Sequence, residues 1–482
     1  MITIPGRRVN FCEGPTRREL MRVGSVGMLG LNLAHFFSWQ KAQAASPSTL
    51  AGGRGWGQAK SVIFIFLQGG PSHIDIWDPK PDAPLNIRGE FKPIPSKIPG
   101  TWVSETMPMM ANALDKATLI RSMSYTPAGL FNHTAAIYQM LTGYTPDKVS
   151  PSGQLEPPNG ADFPTAGSHI SKMKPLTEPV LPFVELPRPL QESGIIGKGG
   201  AAGFLGKAYD PYRLYQDPAR PIKTEDLALR KDIPPDRLRD RFALLKGINE
   251  SMPDLEKALK DYAVDEYYGK AYDLVLSGKA RDAFDLTKET AKMRERYGMF
   301  TFGQSLLVAR RLVEAGTKFV QVNWPSVANG NAEVDSWDTH ASNFRPLKSL
   351  HCPKLDQGLS ALLEDMNDKG LLKETLVVAV GEFGRSPRIG VSTSGNANAP
   401  DGRDHWPYCY SSVVAGAGVS AGRQYGESDA TGSSPKDKPV HPTDLLASVY
   451  YAIGIDPGME IRNHLNQPRE LVKGKVLHDL WG

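Results

Sequence analysis

Residues 61–67 (SVIFIFL) form an unbroken apolar run rich in β-branched and aromatic side chains, stopped by Gln68-Gly69-Gly70-Pro71. A run that is apolar at every position, not every second one, predicts a strand covered on both faces, as in a parallel sheet. Further along, Leu355, Leu359, Leu362, Leu363 and Met366 recur at helical spacing until Lys369-Gly370, and residues 375–380 (TLVVAV) follow as a second buried strand. The same order appears earlier, with a helix over 306–315 stopped by Gly316 and an extended stretch over 318–324. Residues 410–415 are a further apolar run before Gly416 and Gly418, and Thr443 is placed to cap a helix reaching Tyr450 before Gly454. Helices alternating with buried strands predict an α/β fold: a doubly wound, mostly parallel sheet flanked by helices. Ligands of such a sheet bind beyond the carboxyl ends of its strands.

Two regions depart from that order. Residues 145–240 are rich in Pro and Gly with little periodicity and read as a long irregular surface insertion. Residues 253–300 are helical in pattern, carry many charges and hold the apolar set Leu255, Leu259, Tyr262, Tyr267, Tyr268, Tyr272 and Leu274, which predicts a helical cap beside the sheet. No internal repeat is visible.

The amino terminus has a different grammar. Residues 16–22 (TRRELMR) place paired arginines before an apolar, Gly-rich run from Val23 to Phe37, the order of a twin-arginine export signal. That run is too short to span a bilayer. Ala42-Gln43-Ala44 supplies small residues for cleavage after Ala44, and residues 45–59 read as a flexible leader to a single domain over 60–482. Export by the twin-arginine machinery puts the mature chain in the periplasm or outside the cell.

Cleavage changes the charge. The whole chain has 56 Lys+Arg against 52 Asp+Glu, but residues 1–44 hold six basic and two acidic residues, so 50 of each remain. A neutral mature chain of 438 residues lacks the basic surface that a nucleic-acid partner requires. No later run is apolar and long enough for a transmembrane helix. Cys352 and Cys409 remain after cleavage; an exported location permits a disulfide between them, and two buried thiols are the simpler reading.

Polar residues gather just after the strands. His73, Asp75 and Asp78 follow the first; Asp335, Asp338 and His340 follow the stretch ending at Trp324; Glu382 and Arg385 follow Val380; Arg403, Asp404 and His405 lie beyond a Gly/Asn/Ser-rich loop. In Trp337-Asp338-Thr339-His340 the acid and the imidazole are two apart, so in an extended segment they face one side and can bind one ion; a backbone-bonded loop pair is the plainer alternative. Asp404-His405 reads either as a metal-ligating imidazole with an orienting acid or as a turn held by Asp404, and Glu382 either as functional or as the salt-bridge partner of Arg385.

These residues sit in motifs that resemble a known family over essentially the whole chain. FLQGGPSHID (66–75), GKAYDP (206–211), FGQS (302–305), WDTH (337–340), GEFGR (381–385) and GRDHWP (402–407) occur in order behind the twin-arginine start. The chain resembles the secreted family called domain of unknown function 1501, often labelled sulfatase-like, within the alkaline-phosphatase-like superfamily. The resemblance implies an alkaline-phosphatase-like sheet and a divalent metal, zinc first, with calcium or manganese as alternatives. By order and context, the superfamily's Asp, His and later His at one metal match Asp338, His340 and His405, whereas its second-metal positions match Gln68, Glu382 and Phe383 and are degraded; Asp75 or Glu382 would then complete the ligand set.

The sulfatase nucleophile, ten residues before the Gly of a Leu-Thr-Gly triplet, matches His133 before Leu141-Thr142-Gly143, so the formylglycine precursor is absent. His133 or Thr134 would be nucleophile or general acid, and Arg385 or Arg403 would hold the anion. The function implied is an exported metal-dependent hydrolase acting on a small phosphate or sulfate ester or on a sulfated or phosphorylated polymer. The alternative is an exported binding or assembly protein that keeps the scaffold without turnover.

Overall fold

A computed structural model describes residues 52–146, 157–176, 179–192, 195–213, 278–325 and 336–482, with a few positions between 234 and 244. The export signal, Asp335 and the apolar set from Leu255 to Leu274 lie outside the described residues.

The main sheet has eight strands: β1 (Ser61–Phe66), β2 (Ala117–Met123), β3 (Phe183–Leu186), β4 (Tyr212–Arg213), β5 (Phe319–Asn323), β6 (Thr375–Val380), β7 (Tyr410–Ala415) and β8 (Arg423–Tyr425). Their order is β8-β2-β7-β6-β1-β5-β3-β4. β1 lies at the centre, parallel to both β6 and β5, with Phe66 in register with Val380 on one side and Asn323 on the other. All six residues of β1 and all six of β6 are buried, as expected for strands covered on both faces.

Alternation along β1 divides the core. Ile63, Ile65 and Leu67 join one cluster with Leu306, Leu307 and Leu312 of α3 (Thr301–Glu314) and Leu355, Leu359 and Leu362 of α4 (Cys352–Asp368). On the other face Phe64 stacks on Phe319, whose ring meets that of Phe183 edge-on. There α2 (Ala166–Met173) comes so close that a Cβ on Gly167 would lie 2.6 Å from the Phe183 ring. Helices thus cover both faces of a mostly parallel sheet.

Two expectations need correction. The region 145–240 is not only a surface insertion, because it supplies α2 and the strands β3 and β4; β3 is only four residues long and sits among prolines, so its periodicity is too short to read. The helical pattern expected over 253–300 is present in its described part, as short helices over Lys279–Phe284 and Ala291–Tyr297. The last long helix, α5 (Pro442–Ala452), is capped by His441 and not Thr443: the His441 side chain accepts from the Thr443 N–H, and Asp444 accepts from the His441 N–H in return. Pro442, which lacks an N–H to leave unsatisfied, occupies the first helical position.

β7 runs against its neighbours β6 and β2. Its first residue therefore lies at the same end of the sheet as the last residues of β1, β5 and β6. That reversal brings residues 403–405, which precede β7, to the edge where the other polar residues gather.

Candidate metal centre

The centre begins with the glycines after β1. Gly69 has φ +110°, and a Cβ there would lie 2.5 Å from the Trp337 nitrogen and 2.6 Å from that of Asp338. Absence of a side chain lets the 336–340 segment lie against the strand end, where the Trp337 N–H donates to the Gln68 carbonyl at 3.1 Å. Trp337 is fully buried against Trp324 and His351 and anchors the segment from below.

After β6 the chain forms a short hairpin, Gly384–Arg385 against His405–Trp406, with Arg385 in register with His405. His405 and Arg385 thus arrive on one ribbon. The loop between them is tied down by Asp404, which accepts from the N–H groups of Thr393 (2.5 Å), Ser394 (2.7 Å) and His405 (2.7 Å). Burial opposes ionisation of Asp404, but these donors and the Ser394 hydroxyl outweigh it and hold its pKa down to about 2.

A further contributor is a helix start. In α1 (His133–Thr142) the N-cap Asn132 accepts from the Ala135 N–H at 3.1 Å, placing His133 on the first turn. Asn132 escaped the sequence reading, although an Asn directly before a helical run is a cap signal. Thr134 is fully buried on the same turn.

Four side chains converge. Asp338 Oδ1 lies 3.1 Å from His340 Nε2 and 3.4 Å from His405 Nε2, and the two Nε2 atoms are 2.8 Å apart. His133 Nε2 lies 3.4 Å from Asp338 Oδ2, and its Nδ1 lies 2.6 Å from Glu382 Oε1. Glu382 also accepts the Gly69 N–H at 2.8 Å. Two groups of potential ligands therefore overlap at His405: one with His133 and Asp338, the other with His340 and Asp404. The side chain of Asp338 is 29% exposed against 4% for His405, so the centre opens to solvent on the Asp338 side.

The donor chemistry suits a divalent ion. Burial disfavours the charged form of His405 most, the positive charge of His133 adds to this, and its pKa falls to about 3. The neutral ring meets the Phe131 carbonyl through Nδ1 at 2.6 Å, so Nδ1 carries the proton and Nε2 offers a lone pair to the centre. Burial alone would lower His133, but Asp338 and Glu382 reverse this and raise its pKa to about 10. Asp338 is held well below the usual carboxylate range: Arg385 and His133 overcome the cost of burial. Glu382 Oε2 is a buried oxygen without a hydrogen bond, a need that a cation bound beside it would satisfy. Tetrahedral zinc with bonds of ~2.0–2.2 Å to nitrogen and oxygen sets neighbouring ligand atoms roughly 3.3 Å apart, close to the separations present.

The structure does not bring every expected residue into this cluster. Asp75 forms a two-pronged ion pair with Arg403, at 2.7 Å to Nε and 3.1 Å to Nη2, and also accepts from Ser72 and Asn343. The remaining N–H groups of Arg403 go to the carbonyls of Ser386, Pro387 and Ile87, leaving none for an anion. Arg385 donates to the carbonyls of Gly69, Gly70 and Arg403 and lies 2.5 Å from Asp338 Oδ1, so it fixes the acid. Glu382 pairs with His133 and not with Arg385. Gln68 donates to the Gln191 carbonyl, and the buried ring of Phe383 packs 4.8 Å from that of His133 and 4.7 Å from that of His405. His73 reaches the Gly432 carbonyl and Asp78 pairs with Lys80 and Arg121; both tie loops to the sheet end. Cys352 and Cys409 are free and buried.

A mostly parallel α/β sheet with imidazoles and carboxylates gathered at its carboxyl edge is the class this geometry defines. The chain belongs to the family described as protein of unknown function (DUF1501), whose model matches residues 59–481. No curated protein matches it. Among solved structures it is similar to the PsFucS1 sulfatase from Pseudoalteromonas sp., at 13% identity over 82% of this chain and 68% of that one, with a TM-score of 0.39. It is similar to the phosphonate monoester hydrolase SpPMH from Silicibacter pomeroyi, at 10% identity over 88% and 76%, with a TM-score of 0.38. The alkaline phosphatase from the Antarctic bacterium TAB5 matches at 10% identity over 75% and 92%, with a TM-score of 0.32.

Proposed function

We propose that the chain is an exported metal-dependent hydrolase of phosphate or sulfate esters, with Asp338, His340 and His405 holding one divalent ion, zinc before calcium or manganese. The observation that carries this reading is the convergence of one carboxylate oxygen and two Nε2 atoms within 3.4 Å of one another at the carboxyl edge of the sheet. A divalent ion there supplies Lewis acidity, polarising an ester oxygen and lowering the pKa of water. The protein's own part is positional. Arg385 and the backbone at Gly69 fix Asp338, the Phe131 carbonyl fixes the tautomer of His405, and Glu382 fixes the ring of His133. With Arg403 committed to Asp75, the first turn of α1, which carries His133, offers positive potential to an anionic ester.

The twin-arginine segment supports export to the periplasm or beyond, and among the described residues no helix is long and apolar enough to cross a membrane. The substrate is a small anionic ester or a sulfated or phosphorylated polymer. Purified mature protein should retain a divalent ion and hydrolyse nitrophenyl phosphate or nitrophenyl sulfate, and His340→Ala should abolish both properties. Absence of bound metal, unchanged by Asp338→Ala, would overturn the assignment.

A second reading, an exported binding or assembly protein without turnover, is favoured by the saturated guanidinium of Arg403 and by Phe383 lying where the resemblance puts a second-metal ligand. Metal retention without hydrolysis of either ester under zinc, manganese and calcium distinguishes it.

A further inference from the structure

His133 occupies the helix start at which the family resemblance places a nucleophile, yet its surroundings match those of the two ligand histidines. Each of the three rings turns Nε2 toward Asp338 and Nδ1 toward an oxygen on the outside. For His133 that oxygen is Glu382 Oε1 at 2.6 Å and for His405 the Phe131 carbonyl at 2.6 Å, while His340 Nδ1 lies 3.4 Å from Asp404 Oδ1 without a hydrogen bond. A metal-bound imidazole almost always has such an outer partner, which fixes the tautomer and makes the inner nitrogen more basic. His133 Nε2 is buried and has no hydrogen bond, and its ring stands edge-on to that of His405 with centroids 4.3 Å apart. Asp338 faces His133 with Oδ2 and the other two histidines with Oδ1. Ligand atoms of His133, Asp338 and His405 all lie within 4.8 Å of one another.

We propose that His133, releasing its Nε2 proton to solvent as the ion binds while Nδ1 keeps its proton toward Glu382, is the fourth ligand of the ion, making the centre a three-histidine, one-carboxylate site. The inference rests on the metal-binding part of the reading above, and a filled shell favours the second reading, a binding or assembly protein without turnover, over the hydrolase. Four protein ligands fill a tetrahedral ion, whereas three leave a position open for water or substrate. The residue in the nucleophile position is thereby committed to the ion, with Glu382 as the positioning residue behind it. Phe383, packed against the rings of His133 and His405, keeps that pair in contact.

X-ray absorption at the zinc edge of the zinc-loaded mature chain counts imidazole ligands directly and needs no turnover. Three imidazoles are expected in the wild type and two in His133→Gln, with zinc affinity lowered by at least the roughly 10–100-fold that loss of an outer partner costs. A wild-type count of two, unchanged in His133→Gln, overturns the inference while leaving the hydrolase reading on Asp338, His340 and His405. Failure of the wild type to retain zinc overturns both. The wild-type count stands even if the variant does not fold.

Discussion

His133 and Glu382, 249 residues apart in sequence, are joined through Nδ1 and Oε1 at 2.6 Å. The contact links the start of α1 to the end of β6 and turns Nε2 of the ring toward Asp338. Glu382→Gln removes the charge but keeps the shape. Its divalent-metal affinity should fall about 10–100-fold, measured by chelator competition, with little change in the folded circular dichroism spectrum.

The Asp75–Arg403 pair predicts a stability effect without an active-site residue being touched. Both side chains are fully buried, and Asp75→Asn leaves a guanidinium without its counter-charge. Breaking a buried pair from one side costs about 3–5 kcal/mol. Denaturant titration should show a lower midpoint of that size. A change under 1 kcal/mol would mean that the three carbonyl acceptors suffice for Arg403.

Gly69→Ala should be more damaging than its size suggests. Holding a non-glycine residue at positive φ costs roughly 1–2 kcal/mol, and the new methyl would meet the backbone nitrogens of Trp337 and Asp338 at 2.5 and 2.6 Å. Relief comes from displacing the ligand segment, so metal retention should weaken together with the melting temperature. Retention at wild-type affinity would show that the segment shifts as a unit.

Acid should destabilise the fold well before the carboxylates titrate. Burial lowers the pKa of His73 to about 4 and of His169 to about 3, against 6.5 in an unfolded chain. Below pH 6.5 the unfolded chain takes up protons that these two rings refuse. Stability is therefore lost as pH falls from about 6.5 toward 4, each ring contributing roughly 1.4 kcal/mol per pH unit. Asp356, raised to about 6 by burial against the N–H donors of Met109 and Met110, works in the opposite direction and offsets one ring. The net slope between pH 6 and 4.5 should remain positive, and denaturant midpoints across that range would reveal a flat or inverted profile.

The thiols should be silent. Cys352 and Cys409 are fully buried, and burial lifts Cys352 to about 12 and Cys409 well above the ordinary thiol value. A thiol reagent should label neither in the native mature chain at neutral pH and both after unfolding.

The parts of this molecule legible in the sequence are those that depend on local order. Continuous apolar runs located β1, β6 and β7 to within a residue or so, and the spacing of two put Asp338 and His340 on one side. Their separation from His405 could not be read from spacing, because it depends on β7 running antiparallel, which no local pattern encodes. The same limit hid the fate of Arg403, whose acceptors come from residues 75, 87, 386 and 387. The pairing of His133 with Glu382 was equally out of reach, since the two were recognised by unrelated signals. The cap of α5 is a different case: Pro442 after His441 marks the first helical position, and that signal was available in the chain itself.

Because Arg385 and His405 are register partners, the excursion between them leaves the fold and returns to it at one point. Asp404 clamps its middle at Thr393 and Ser394, and Gly390 donates to the Gly402 carbonyl at 2.9 Å across its neck. Beyond that neck Ala399 donates to the His340 carbonyl at 2.9 Å, so length can change without disturbing the ligand segment only at the exposed tip, residues 395–397. Loop lengthening costs little entropy, about 0.6 kcal/mol per doubling. The tip of this excursion is thus a cheap place to vary reach and selectivity over an unchanged candidate site.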